Sequence, residues 1–143
     1  MILHTASEGI SLSRKLETDS ADFYNKLAQK YEKDSEVLLS FASENKKNTV
    51  QIERSYYGVI TDAIEGGYAF NLETDDYTLS LEIADDAGYA DVLKQAIDIE
   101  NKIVQFYSDA AEQSKSLLAD VPRTFMLVAK KRKTRLDKLG SLV

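Results

Sequence analysis

The sequence predicts an all-α protein, a four-helix bundle with one long crossover between helices 2 and 3, built from residues 1–143 as a single domain. Three observations predict it. Four long stretches carry apolar residues at alternating three and four spacing, the mark of a helix with one buried face. Leu16 to Gln29 is echoed 83 positions on by Ile99 to Glu112, so that one helix has been used twice. About 25 residues separate the second stretch from the third, enough to cross a bundle, whereas antiparallel neighbours need only a short turn.

Taken in order, Thr5-x-x-Glu8 is a capping-box pattern that opens the first helix. Ile10, Ser13, Glu17, Ser20, Tyr24, Leu27 and Tyr31 then form one seam, predicting a helix over about residues 6–32. Asp34 or Ser35 offers the next cap. Leu38, Phe41, Asn45, Asn48, Ile52, Ser55 and Val59 mark the second helix, to about Glu65, with Gly66-Gly67 as its stop. Gly66 to Asn71 reads as loop. Thr78 to Ile83 alternates apolar with polar residues, which suggests a short strand; Ser80 to Ala87 equally suits a two-turn helix ended by Gly88. The third helix starts near Asp91, carries Leu93, Ala96, Glu100, Ile103, Tyr107 and Ala110, and ends between Ser114 and Leu118. Asp120 with Pro122 starts the fourth, since a first turn tolerates proline. Its seam is Phe125, Val128, Ala129, Arg132, Arg135, Leu136 and Leu139, with Gly140 closing it. Short links within each pair and one long crossover describe a ferritin-like bundle better than an up-down one. A helical hairpin completed by dimerisation is the competing architecture.

Composition sets bounds on function. The chain has no cysteine, so disulfides and Cys-based zinc, iron–sulfur or rubredoxin-like sites are excluded. The N-terminus lacks a basic region followed by an apolar run, and no stretch approaches 18 apolar residues, so a cytoplasmic protein with no membrane span is expected. Residues 130–143 hold six basic residues and one acid, leaving 12 basic and 23 acidic residues in 1–129. That body repels nucleic acid and anionic lipid. Helical geometry also splits the run from Lys130 to Arg135, sending Arg132 and Arg135 inward and leaving a solvated lysine face that the helix C-terminus favours. No nucleic-acid partner is expected.

The chemistry lies in the seams. Glu17, Asn45 with Asn48, Glu100, and Arg132 with Arg135 all interrupt apolar stripes. Four helices breaking pattern in mid-seam suggest one shared polar layer, because buried polar groups need partners. Tyr24 and Tyr107, seven residues after each glutamate, are expected to pack there with their hydroxyls on the glutamates. Glu17 and Glu100 each stand six residues before a Phe-Tyr, at Phe23-Tyr24 and Phe106-Tyr107.

With these residues the chain resembles the rubrerythrin-like branch of the ferritin superfamily. In that family the first and third helices carry the glutamate six before Phe-Tyr, and the second and fourth carry A-x-E-E-x-x-H. This chain has Ala42-Ser43-Glu44-Asn45-Lys46-Lys47-Asn48 and Ala129-Lys130-Lys131-Arg132-Lys133-Thr134-Arg135 instead. The resemblance therefore implies a family di-iron site at Glu17, Asn45, Asn48, Glu100, Arg132 and Arg135 that has been rewritten. An arginine offers donors only and cannot ligate a metal. Glu17 and Glu100 would balance Arg132 and Arg135, with bidentate pairing and the asparagines taking remaining donors. The reading is a non-catalytic structural or interaction module, a homodimer with an unknown protein partner, carrying no cofactor. The alternative is a rubrerythrin-like oxidoreductase acting on peroxide or oxygen, with iron at a non-standard centre rebuilt through Glu44 or Glu53. A third reading, small-molecule binding in the bundle interior or the crossover, has no motif behind it.

Overall fold

The computed structural model describes residues 1–58, 68–115 and 120–143. Among them are four helices: α1 (Ala6–Lys30), α2 (Ser35–Tyr57), α3 (Tyr89–Ser114) and α4 (Asp120–Leu142). The capping box at Thr5 and Glu8 starts α1: Thr5 Oγ1 accepts from the Glu8 amide at 3.1 Å and Glu8 Oε1 from the Thr5 amide at 3.0 Å. Asp34 starts α2 differently. It sits in the left-handed region at φ 61°, makes no side-chain cap, and accepts the Tyr89 hydroxyl at 2.9 Å instead. The described part of α2 ends at Tyr57 with Gly58 as cap; Val59 and the stop expected at Gly66-Gly67 lie outside the described residues. Gly140 does not end α4, which continues to Leu142. Nothing crowds a Cβ at that position, and a lone glycine in an exposed last turn costs too little to break the helix.

Helix directions follow from paired residues. Arg14 meets Glu53 and Ser20 meets Asn45, so α1 and α2 are antiparallel. Ser13 meets Tyr107, Tyr24 meets Glu100 and Tyr31 meets Ala87, so α1 and α3 are also antiparallel. Phe106 against Phe125 and Glu100 against Arg132 run α4 back along α3. Lys131 on Gln51 and Arg135 on Glu44 close the ring with α2 and α4 antiparallel. The order is therefore up, down, down, up. An up-down-up-down bundle would make α1 and α3 parallel; this one requires the chain to travel its length between Gly58 and Tyr89.

The crossover corrects the sequence reading in two places. Tyr68 to Asn71, read as loop, belong to a strand, β2 (Tyr68–Glu73), pairing antiparallel with β1 (Ile2–Thr5). The protein thus adds a two-stranded sheet to its helices. Ile2 lies opposite Glu73, Leu3 opposite Leu72 and Thr5 opposite Tyr68, with an irregularity between Leu3 and Thr5. Phe70 of β2 lies so close to α1 that a Cβ at Gly9 would come 2.3 Å from its ring, so Gly9 is what lets the strand seat. After one 3₁₀ turn (Thr74–Tyr77), residues 78–84 are neither strand nor helix. Their burial nevertheless alternates, Leu79, Leu81 and Ile83 half-buried and Thr78, Ser80 and Glu82 exposed, as in an extended chain. Among the described residues no second strand pairs with this strap. Side chains hold it: Gln95 Nε2 donates to the carbonyls of Ser80 and Glu82, each at 2.8 Å, and Lys30 Nζ to those of Ala84 and Asp85 at 2.9 and 3.1 Å.

The core is one continuous cluster of aliphatic and aromatic residues from all four helices and β2. Phe106, Tyr107, Phe70 and Phe125 form an aromatic group at one end, with Phe106 and Tyr107 edge-on and 5.2 Å apart. No described helix is long and apolar enough to cross a membrane.

Candidate functional site

All eight residues picked from the seams are buried: Glu17, Tyr24, Asn45, Asn48, Glu100, Tyr107, Arg132 and Arg135. Arg132 is the centre. Its side chain is 0 % exposed, and its two terminal nitrogens serve two carboxylates. Nη1 donates to both oxygens of Glu100 at 2.7 Å, and Nη2 donates to Glu17 Oε2 and, at 3.3 Å, to Ser20 Oγ. The expected fork-on-carboxylate pairing is replaced by a bridge, because the two glutamates approach from α1 and α3, which flank the guanidinium.

Arg135 lies one turn further along α4. Nη1 donates to Glu100 Oε1 at 3.1 Å, and Nη2 to the Phe41 carbonyl at 3.3 Å and to Glu44 Oε1 at 2.7 Å. Its guanidinium carbon stands 4.9 Å from the Phe41 ring centroid and 5.5 Å from that of Tyr24, a stacking that suits a planar cation. Glu44 is partly exposed. The charge count is therefore two arginines against three carboxylates, with the third at the edge. Glu44, considered as a substitute ligand, is committed to Arg135, and Glu53 to Arg14 at 2.7 Å.

The asparagines do not take arginine donors. Asn45 Nδ2 donates to the Glu17 carbonyl at 2.9 Å and to Ser20 Oγ at 2.8 Å, tying α2 to α1. Asn48 is fully buried, and neither its amide nitrogen nor its oxygen meets a partner among the described residues. Glu17 Oε1, Asn45 Oδ1 and the Nε atoms of both arginines are likewise unbonded there. Ser20, in the first seam but not singled out from sequence, joins the parts: it accepts from Asn45 and Arg132 and donates to the Leu16 carbonyl at 2.7 Å.

The duplicated helices exchange partners. Tyr24 of the first copy donates to Glu100 of the second at 2.6 Å. Tyr107 of the second shares a 3.0 Å hydrogen bond with Ser13 of the first and feels the charge of Glu17. Ser13 corresponds to Ala96 in the repeat, so this hydrogen bond has no counterpart in the other half.

Electrostatics follow from burial and pairing. Burial pushes the Glu100 carboxyl up, but Arg132 and Arg135, aided by the Tyr24 hydroxyl, outweigh it and hold Glu100 below the ordinary carboxylate range. For Arg132, burial favours the neutral form and is overcome by Glu100 and Glu17, so its pKa is raised. Burial raises Tyr24 and Tyr107 well above the usual phenol value, and the carboxylates of Glu100 and Glu17 respectively add to it.

The donor set does not suit two metal ions. Of the six polar seam residues Glu17, Asn45, Asn48, Glu100, Arg132 and Arg135, two are arginines, two are neutral amides, and both carboxylates already accept from Arg132. Among the described residues no group of three or more His, Asp or Glu side chains is placed to hold a metal ion. His4 stacks on Tyr68 in the strand pair, ring centroids 4.7 Å apart. What this arrangement can do is position four helices through charge. No protein-family model, no curated protein and no solved structure matches this chain.

Proposed function

We propose that the chain is a cytoplasmic, ferritin-like protein of the rubrerythrin-like type in which a guanidinium occupies the place of the metals, and that it works as a non-catalytic structural or interaction module, as a homodimer. The observation that carries this reading is Arg132 bridging Glu17 and Glu100, which stand at the family's ligand positions. A cation fixed to α4 balances those carboxylates without an exchangeable ion. The reversal of helix direction across the crossover supports the ferritin-like part. For the dimer, Leu39, Val50 and Tyr57 stay exposed along one stripe of α2, with Glu36 and Arg54 near its opposite ends. A two-fold antiparallel approach of a second copy sets acid against base there.

Metal loading tests the reading. The protein is incubated anaerobically with excess ferrous iron, desalted and analysed by mass spectrometry, with Glu17→Ala/Glu100→Ala as control. Folded protein without retained iron is the expected result. Two irons per chain, lost in the control, would overturn it in favour of an oxidoreductase. Sedimentation equilibrium reads the dimer separately.

A further inference from the structure

The crossover strap and the outer face of α1 enclose a groove of about 530 Å³. Its apolar lining comes from Leu3, Leu12, Leu16, Tyr77, Leu79 and Leu81. It lies outside the ion layer and meets it only at Leu16, whose side chain lines the groove and whose carbonyl accepts from Ser20. Its size is that of a specific binding cleft rather than a packing defect.

The strap that forms one wall is an extended chain with one edge used. Successive carbonyls of an extended chain point to opposite edges. Those of Ser80 and Glu82 accept from Gln95 on α3. The carbonyls of Leu79, Leu81 and Ile83 alternate with these and accept from no protein donor among the described residues; Leu79 and Leu81 are the two of the three that line the groove. No amide from Leu79 to Asp86 donates to a protein acceptor among those residues. An edge with no partner among the described residues, beside an apolar cleft, is the arrangement that takes up an extended peptide as an added strand.

Charge selects the peptide. Residues 73–86 contain six acids, Glu73, Asp75, Asp76, Glu82, Asp85 and Asp86, and no base; Asp75 lines the groove itself, Glu73 is paired with the Met1 ammonium at 2.9 Å, and the others flank it along the strap. Across the groove α1 contributes Glu8 and Asp19 against Lys15, which is paired with Asp19 at 2.6 Å. We infer that this groove binds an extended, basic segment of a protein partner, its main chain pairing with Leu79 to Ile83 and its alternate apolar side chains seated between Leu12 and Leu81. The inference deepens the interaction-module reading and rests on it for the role of the groove; iron loading and peptide binding are separate measurements, so either can fail alone.

The test uses the full chain and a short synthetic peptide of alternating lysine and leucine, with blocked ends, followed by calorimetry and by amide exchange at Leu79–Ile83. Two controls accompany it: the same peptide with glutamate for lysine, and the lysine peptide N-methylated on alternate amides. Saturable binding is expected for the parent, with slowed exchange in the strap, and at least about tenfold weaker binding for each control. Leu81→Lys, at a half-buried position, is expected to abolish binding while leaving the thermal midpoint near that of the parent. Equal binding of the N-methylated peptide would overturn strand pairing. Equal binding of the glutamate peptide would overturn the charge argument. Displacement of the peptide by octylammonium, with N-methylation harmless, would make the groove a small-molecule site. Absence of binding to the parent peptide at millimolar concentration would remove the proposal altogether.

Discussion

Arg132 shares one terminal nitrogen between both carboxylate oxygens of Glu100, 2.7 Å from each, and commits the other to Glu17. Glu100 has a second cation in Arg135, whereas among the described residues Glu17 is paired with Arg132 alone. Arg132→Met therefore strands a buried carboxylate, and a loss of about 3–5 kcal/mol is expected. Adding Glu17→Gln neutralises that carboxylate, so the double variant is expected to be more stable than Arg132→Met alone. Urea midpoints at matched slope check this. Equal midpoints for the single and double variants would mean that Glu17 is hydrated rather than held by the arginine.

Asn48 and Asn45 are one turn apart and should respond oppositely to leucine. Asn48 makes no hydrogen bond among the described residues, so Asn48→Leu removes an unsatisfied group worth about 1–3 kcal/mol and should raise the midpoint. Asn45→Leu loses its bonds to Glu17 and Ser20 and should lower it. A fall in both midpoints would point to ordered water completing Asn48.

Acid should loosen the bundle through Glu100. Its folded-state pKa lies below the ordinary 4.5, so its stabilisation is present above that value and is lost as pH falls through the lower one. Stability measured from neutrality downward should drop below about pH 4.5, and Glu100→Gln should flatten that part of the curve while lowering the plateau.

Alkali acts through the tyrosines. Tyr24 and Tyr107 have folded pKa values above 10.0, so their contribution is complete below 10.0 and fades as pH rises toward the folded values. Tyrosinate absorbance should show these two ionising only as the protein unfolds. Smooth ionisation of every tyrosine near the ordinary value, with the fold intact, would contradict their burial.

Gly9→Ala puts a methyl group into the Phe70 ring. A loss of about 1–3 kcal/mol is expected from the overpacking, and Gly9→Ala/Phe70→Leu should recover part of it.

The seams were readable because each polar residue interrupts a three-four stripe on its own helix, and the duplication marked Glu17 and Glu100 as equivalent. How the layer is wired was not, since periodicity gives the face of a residue and not which oxygen it meets. Glu44 shows the limit: it sits on the flank of α2, where a carboxylate is ordinary, and only the antiparallel register against α4 brings Arg135 to it. The sheet escaped for another reason. Strand Ile2–Thr5 is four residues long, and β2 buries Ala69 and Phe70 consecutively, which breaks the two-residue alternation that identifies a strand. In the strap the alternation was legible and real, but a ladder also needs a neighbour, which no local pattern reports.

The span between Glu17 and Arg132 has a consequence for synthesis. The neutralising arginines lie on the last helix, so a nascent chain that has not yet passed Asp120 would close α1 and α3 around two carboxylates with no guanidinium between them. Docking of the first three helices is then expected to be opposed until the fourth has been made, which makes closing of the bundle a late event in synthesis. A chain truncated before Asp120 should show fast amide exchange throughout α1 and α3 at neutral pH, and Glu17→Gln/Glu100→Gln should partly restore their protection.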